Sequence, residues 1–134
     1  MDNTGRIKQF FTSPVFGVVG ASSQRHKFGN KVLRCYLEHN LRAIPVHPAE
    51  KVIEGLECVA SVSALPDAVN SISIITPPQI TEKVVEQALA KGIENIWMQP
   101  GAESDAAVKL CQGGGVNLIH GGSCLLVELG CQDH

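Results

Sequence analysis

The residues best suited to chemistry lie in one loop that follows the first apolar run of the chain. Gly20 permits a tight backbone turn, and the hydroxyl groups of Ser22 and Ser23 are hydrogen-bond donors. Arg25 and Lys27 add positive charge immediately before a segment with helical spacing. Because a helix N-terminus also presents free N–H groups and a partial positive charge, the loop predicts a phosphate-binding site.

This loop differs from the usual dinucleotide-binding turn. Gly17 and Gly20 are followed by no further glycine until Gly29, so the Gly-x-Gly-x-x-Gly fingerprint is absent. The second apolar strand ends in His47 and Pro48, where NAD-dependent proteins usually carry an acidic residue for the ribose hydroxyls. NAD is therefore disfavoured. NADP stays open as an alternative, because a basic group can face a 2′-phosphate.

Charge is distributed unevenly along the chain. Residues 3–37 contain six basic and no acidic residues, whereas the residues from 38 on contain five basic and twelve acidic ones. A positive first third on an acidic remainder indicates an anionic ligand of limited size. The net charge of −2 argues against a nucleic-acid partner. No run approaches the ~18 apolar residues of a membrane span, so we expect no membrane partner.

The five cysteines show no spacing typical of a paired framework: Cys35, Cys58, Cys111, Cys124 and Cys131. Their number is odd, and no pair is separated by two residues. We therefore expect neither a disulfide framework nor a structural zinc site. Reduced, buried thiols are typical of a reducing compartment, so we expect a cytoplasmic protein.

The apolar pattern alternates between strand and helix spacing along one domain, residues 1–134. The predicted strands are 15–19, 42–46, 71–75, 93–98 and 116–119, with a short edge strand near 56–59. The predicted helices cover 28–37, 80–89 with Gly92 as the C-terminal cap, and a segment capped by Ser104 or Asp105. Shorter helical or closing segments are expected at 63–65 and 125–129. This order predicts an α/β fold: a Rossmann-like, doubly wound, mostly parallel sheet of about five strands with helices on both faces. With six aromatic residues in 134, we expect a core of Val, Ile, Leu and Ala.

Several segments match one known family in order and spacing. They are Val18-Val19-Gly20-Ala21-Ser22, Lys27-Phe28-Gly29-Asn30, Ile44-Pro45-Val46-His47-Pro48, Gly55, 63–69, Thr76-Pro77-Pro78, Gln99-Pro100-Gly101 and Gly121-Gly122-Ser123-Cys124. Over residues 12–128 or so, the chain resembles the CoA-binding domain family. That family includes small stand-alone proteins and the first domain of succinyl-CoA synthetase α subunits and of ADP-forming acyl-CoA synthetases.

The resemblance implies coenzyme A or an acyl-CoA as the ligand and assigns its parts to four segments. The diphosphate would be held by the loop that contains Gly20, Ala21, Ser22, Ser23, Arg25, Lys27, Phe28, Gly29 and Asn30. The 3′-phosphate or ribose would lie near His47, Pro48 and Lys51. The adenine or pantetheine arm would be walled by Thr76, Pro77 and Pro78, and the pantetheine end would be flanked by Met98, Gln99, Gly101 and Cys124.

Two segments depart from the family pattern. His47 stands where the commoner residue is Asn, and Gly122 and Ser123 replace Pro and Asn before Cys124. His120 and Cys124 are four residues apart, so a Cys–His nucleophilic pair is conceivable, but no third orienting residue is identifiable. We therefore assign no catalytic residue. A mixed disulfide between Cys124 and bound CoA is a further hypothesis.

Three functions remain in competition. The leading one is a stand-alone CoA carrier, sensor or regulatory domain with no complete catalytic apparatus, because an acyl-CoA synthetase needs further domains that 134 residues do not hold. The second is an NAD(P)-binding oxidoreductase or regulator. Its catalytic donor pair is hard to find, since the only tyrosine, Tyr36, lies in a helix patterned for the core. The third is a subunit that needs a partner chain, and a homodimer is also open.

Overall fold

A parallel five-stranded sheet forms the centre of the protein. The computed structural model describes residues 3–131. The sheet strands are β1 (Val15–Val19), β2 (Ala43–Val46), β5 (Val69–Ile74), β6 (Asn95–Met98) and β7 (Asn117–Ile119), and a separate antiparallel hairpin is formed by β3 (Val52–Ile53) and β4 (Leu56–Glu57). The sheet order is β2-β1-β5-β6-β7, and every neighbouring pair within it is parallel. The predicted doubly wound sheet is confirmed.

Helices cover both faces of this sheet. They are α1 (Asn3–Phe10), α2 (Phe28–Glu38), α3 (Pro78–Lys91), α4 (Asp105–Gly114) and α5 (Leu125–Glu128), with a 3-10 turn at Val62–Ala64. Helices α1, α2 and α5 pack on one face, whereas α3, α4 and the 3-10 turn pack on the other. Within residues 3–131, no helix has the length and apolar character needed to cross a membrane.

The strand order creates a switch point between β1 and β5. The chain moves outward from β1 to β2 and then returns to the other side of β1 to form β5. Connections leave β1 and β5 in opposite directions, so a crevice opens at the carboxyl ends of these strands. The loop after Val19 and the turn after Ile74 therefore face one another across the place where ligands bind in such folds.

The local signals placed most helix ends correctly. Gly92 ends α3 in the left-handed conformation, with φ of 87°. Ser104 caps α4, since its Oγ accepts the Ala107 N–H at 3.0 Å. Ile80 lies in the first turn of the helix predicted over 80–89, and its side chain is 42% exposed, whereas Val84, Val85 and Ala88 are buried.

The two faces of the sheet have different cores. The face under α3 and α4 is aliphatic, as predicted. The other face buries Phe10, Phe16, Tyr36 and Trp97, so the expectation of an aliphatic core was wrong there. Phe10 stacks on Phe16 with ring centroids 5.5 Å apart, and Phe16 stacks on Tyr36 at 5.0 Å. The few aromatic residues of the chain are therefore concentrated in one layer.

Helix α1 and the hairpin were not predicted. In α1, Ile7 and Phe10 lie three residues apart and pack against the aromatic layer. This helix is too short to be stable alone, so packing on β6 and β7 stabilises it. The hairpin replaces the predicted edge strand, of which only Val59 pairs with the sheet, as a single bridge to Val46.

Tertiary structure also pairs two cysteines that their spacing does not relate. Cys35 of α2 and Cys131 form a disulfide with Cα atoms 5.9 Å apart, although 96 residues separate them. The expectation of reduced thiols was therefore wrong for Cys35 and Cys131. Cys58, Cys111 and Cys124 are free thiols. The disulfide links the segment after α5 to the C-terminal half of α2.

We expect the Cys131→Ser substitution to lower the free energy of unfolding of the oxidised protein by about 2–4 kcal/mol, because a closed loop of this length restricts the unfolded chain. Urea denaturation with and without a phosphine reductant measures the difference. The matched control is Cys58→Ser, which removes a free thiol. Equal stability of native protein and Cys131→Ser under oxidising conditions would contradict the expectation.

Candidate functional site

Two glycines bring the end of β1 against the start of α2. Gly20 has φ of 96°, and a Cβ atom there would lie 2.6 Å from the carbonyl oxygen of Ile75. A Cβ atom on Gly29 would collide with the carbonyl oxygen of Gly20. The two backbones therefore touch where no side chain fits. The glycine fingerprint of dinucleotide-binding folds allows the same close approach of strand and helix. Gly20 and Gly29 allow it here with a different spacing.

The N-terminus of α2 opens toward the cleft without a side-chain cap. Lys27 is the N-cap residue, in an extended conformation, and its side chain makes no capping hydrogen bond. The first N–H groups of an α-helix have no intrahelical acceptor, and they carry the positive end of the helix dipole. The first turn of α2 and the ammonium group of Lys27 together suit an anion.

The side chain of Asn30 fixes the conformation of the phosphate loop through hydrogen bonds. The side chain is fully buried, and its Nδ2 donates to the Ser22 carbonyl oxygen at 2.8 Å and to Glu54 Oε2 at 3.0 Å. Its Oδ1 accepts a hydrogen bond of 2.6 Å from Arg34 Nε, and Arg34 Nη2 donates to the Arg25 carbonyl oxygen at 2.9 Å. Both amide protons are therefore used within the protein. Asn30 shapes the loop rather than contacting a ligand through its side chain.

Glu54, from the hairpin, neutralises one of the predicted basic residues. Arg25 donates to both Glu54 carboxylate oxygens, at 3.1 and 2.8 Å. The hydrogen bonds from Arg25 and then from Asn30 lower the pKa of Glu54 from 4.5 to about 2. The sequence could not predict this ion pair, because its partners come from separate structural elements. Lys27, in contrast, lines the cleft.

His47 shapes the turn that follows β2. Its Nδ1 accepts the N–H groups of Ala49 at 3.0 Å and Glu50 at 2.9 Å. An Asn side-chain oxygen makes the same type of contact two and three residues along the chain. This explains why His can stand at a position where the family pattern has Asn. Since Nδ1 is the acceptor, the neutral ring carries its proton on Nε2.

The turn after β5 forms the opposite wall of the cleft. Thr76 Oγ1 lies 2.7 Å from Thr81 Oγ1, which ties the turn to the first helical residues of α3. Pro77 is the N-cap of α3, and Pro78 is its first residue. The proline at this position removes an N–H group that would have no helical partner.

These elements enclose a cleft of about 470 Å³ at the switch point. Predicted residues that line it are Gly20, Ala21, Ser22, Lys27, Phe28, Gly29, His47, Pro48, Thr76 and Pro77. Gln24, Val46 and Ile75 also line it and were missed, although each adjoins a predicted segment. Predicted residues that do not line it are Ser23, Arg25, Asn30, Lys51, Pro78, Met98, Gln99, Gly101 and Cys124.

The predicted pantetheine residues form a separate group at the ends of β6 and β7. Met98 is fully buried in the aliphatic core. Gln99 is also fully buried, and its Oε1 accepts the Leu125 N–H at 2.9 Å. Its Nε2 finds no hydrogen-bond partner among residues 3–131. Gly101 is exposed, and Cys124 is half-buried at the start of α5.

His120 lies beside an acidic residue. Its Nδ1 is 3.9 Å from Glu103 Oε2, and the same carboxylate oxygen accepts the N–H of Gly121. The imidazole of His120 therefore lies beside Glu103, and among residues 3–131 it makes no hydrogen bond to the Cys124 thiol that would form a Cys–His nucleophilic pair.

A larger cavity, of about 630 Å³, lies at the opposite end of the sheet. It borders Val15 and Ala43, the first residues of β1 and β2, and Arg42, which precedes β2. Ligands of doubly wound sheets bind outside the carboxyl ends of the strands, so position favours the smaller cleft.

The fold and the cleft at its switch point define a Rossmann-like α/β domain. The model of the CoA binding domain family matches residues 15–130 of the chain. The chain belongs to the CoA binding domain family, and its cofactor is coenzyme A.

The similar proteins include large ligases and small proteins. The chain is 30% identical over 88 residues to ADP-forming acetate–CoA ligase I of Archaeoglobus fulgidus, a match that covers 66% of this chain and 13% of the ligase. A conserved hypothetical protein of Pyrococcus furiosus is 36% identical, with a TM-score of 0.81 over 84% of this chain and 97% of that one. A hypothetical protein of Pyrococcus horikoshii is 26% identical, with a TM-score of 0.88 over 96% and 89%.

We expect His47→Asn to preserve the turn after β2, because its side-chain oxygen can accept the same N–H groups. His47→Ala leaves them without that acceptor and should cost about 1 kcal/mol of stability. Urea denaturation compares the variants, with His26→Ala as a control for loss of an exposed imidazole. Equal stability of the Asn and Ala variants at position 47 would show that the acceptor is not needed.

The Arg25–Glu54 pair predicts a dependence of stability on pH. The pKa of Glu54 is about 2 in the folded protein, and its ordinary value is 4.5. The contribution of the pair is therefore present above pH 4.5 and is lost as the pH falls toward 2. Glu54→Gln should show a smaller loss of stability over that interval than the native protein, measured by denaturation at a series of pH values. The exposed Glu57→Gln is the control; if it behaves like Glu54→Gln, the assignment is wrong.

Proposed function

We propose that the cleft between β1, β2 and β5 holds the diphosphate and adenosine part of coenzyme A. The domain would then act as a carrier, sensor or regulatory domain for CoA or an acyl-CoA, without a complete catalytic apparatus. The observation that carries the proposal is the uncapped N-terminus of α2, set against the end of β1 by the contact between Gly20 and Gly29.

The phosphate groups need donors that are already in place. The first turn of α2 offers N–H groups in a fixed direction, and Lys27 adds a full charge at the rim of the cleft. Arg25 is paired with Glu54, so we assign it to loop structure rather than to direct phosphate binding. Lys27 is therefore the basic residue for which we expect the largest effect on affinity.

The adenosine end has two walls. The turn after His47 and the Thr76-Pro77 turn face each other across the cleft. A volume of about 470 Å³ suits a nucleotide-sized group but not the whole of coenzyme A. We therefore propose that the pantetheine arm leaves the cleft and follows the strand ends toward Gly101 and Cys124.

Our proposal of a role without catalysis rests on the contacts of Tyr36 and His120. Tyr36 is buried, and its hydroxyl oxygen lies 2.5 Å from Ser73 Oγ, so it is not available to a cofactor in the cleft. His120 lies beside Glu103, with its Nδ1 3.9 Å from Oε2, and we assign it no catalytic role. Any acyl transfer would therefore need residues from another domain, a partner subunit or a second copy of the chain. We also propose a cytoplasmic location, in which the Cys35–Cys131 pair would be reduced, as the thiols of Cys58, Cys111 and Cys124 are.

Isothermal titration calorimetry of the native protein with CoA, dephospho-CoA and NADP tests the site. We expect CoA to bind most tightly and dephospho-CoA more weakly, because it lacks the 3′-phosphate. Lys27→Ala should weaken CoA binding about tenfold, or ~1.4 kcal/mol. The control is Lys109→Ala, an exposed lysine on α4.

Two outcomes would contradict the proposal. Equal CoA affinity of Lys27→Ala and the native protein would place the diphosphate outside the cleft. Tighter binding of NADP than of CoA would show that the cleft is built for a dinucleotide instead.

A further inference from the structure

Three potential metal ligands meet at the end of α2 opposite the phosphate loop. Cys35 and His39 lie four residues apart on the helix, and Cys131 is added from the end of the described chain. Their potential ligand atoms all lie within 4.8 Å of one another. We call these residues the Cys35–His39–Cys131 cluster. It lies outside the cleft and takes no part in the proposed binding of CoA.

We propose that the reduced protein binds a thiophilic divalent cation, best represented by Zn²⁺, at the Cys35–His39–Cys131 cluster. The disulfide between Cys35 and Cys131 is then the alternative state of the same two sulfur atoms. Metal binding and disulfide formation exclude each other, because Zn²⁺ binds thiolates and the disulfide contains none.

The ligand types and distances fit zinc. Two cysteines and one histidine are a known zinc ligand set, and it leaves a fourth position for water. With Zn–S of about 2.3 Å and Zn–N of about 2.0 Å, ligand atoms of a tetrahedral site lie roughly 3.5–3.8 Å apart. Cys131 Sγ and His39 Nδ1 are already 3.7 Å apart. Two changes are needed for a metal to bind: the two sulfur atoms must separate, and His39 Nδ1 must release its hydrogen bond to the Cys35 carbonyl oxygen.

The end of the helix also favours a cation. His39 is the C-cap residue of α2, where the helix dipole presents its negative end. The last turn of α2 contains no basic residue that would compete for this position. His39 is exposed, and its Nδ1 donates to the carbonyl oxygen of Cys35 at 3.0 Å, which keeps the imidazole beside the cysteines in the disulfide form. A metal bound at Nδ1 replaces this hydrogen bond, and the neutral ring then carries its proton on Nε2.

The two states interconvert by balanced steps. Zn²⁺ binding converts two thiols to two thiolates and releases two protons to solvent, with no electron transfer. Exchange with a small-molecule disulfide oxidises the two zinc-bound thiolates to the Cys35–Cys131 disulfide and releases Zn²⁺, while the oxidant takes up two protons from solvent and becomes two thiols. Restoring the metal site needs a dithiol or phosphine reductant.

The test is titration of phosphine-reduced protein with Co²⁺, followed by displacement with Zn²⁺ in competition with a chromophoric chelator. We expect one tetrahedral Co²⁺ per chain, with thiolate-to-cobalt charge transfer that Zn²⁺ abolishes. Cys131→Ser should lose this signal, and His39→Ala should weaken Zn²⁺ binding at least about tenfold. Cys58→Ser should bind as the native protein does.

His39→Ala separates a metal ligand from a structural residue, because it retains both cysteines. Its oxidised form should keep the disulfide, measured by thiol counting, and the thermal stability of the native oxidised protein. Oxidised native protein should bind no Co²⁺. The proposal is overturned if reduced native protein binds no stoichiometric Co²⁺, or if Cys131→Ser or His39→Ala binds Zn²⁺ as tightly as the native protein.

Discussion

The contact between Gly20 and Gly29 is the constraint on which the site depends. It joins the end of β1 to the first turn of α2 at a distance that any side chain would prevent. This contact fixes where α2 begins. The first turn of α2 therefore lies at the switch point between β1 and β5. The loop between these two glycines places Lys27 at the rim of the cleft.

Rigidity in this loop comes from polar groups that satisfy one another. Asn30 is buried and uses both amide protons and its oxygen, and Arg34 and Glu54 extend the network to Arg25. A buried polar network of this kind stabilises one arrangement, because each unpaired member would cost free energy. A preorganised loop loses little conformational freedom when a phosphate group binds.

Helix α2 extends from the cleft to the Cys35–His39–Cys131 cluster. Its N-terminus faces the cleft, and its C-terminal half carries Cys35 and His39. The Cys35–Cys131 disulfide attaches the segment after α5 to this helix, close in sequence to Cys124 at the ends of β6 and β7. The cleft and the disulfide therefore share one helix.

The sequence by itself determined the features that depend on local patterns. Apolar periodicity predicted the five strands and α2, and Gly92 and Ser104 marked helix ends. The order of short motifs between Val18 and Cys124 predicted the family, whereas the phosphate site in the basic loop stays a prediction. These features depend on the conformational preferences of neighbouring residues. Tertiary structure alone decided which distant groups meet: the Arg25–Glu54 ion pair, the disulfide across 96 residues and the aromatic layer that holds α1. Pairing between remote residues follows from strand order and helix packing, which no local pattern encodes. For that reason Arg25 could be predicted as a basic loop residue, while its neutralisation by Glu54 could not.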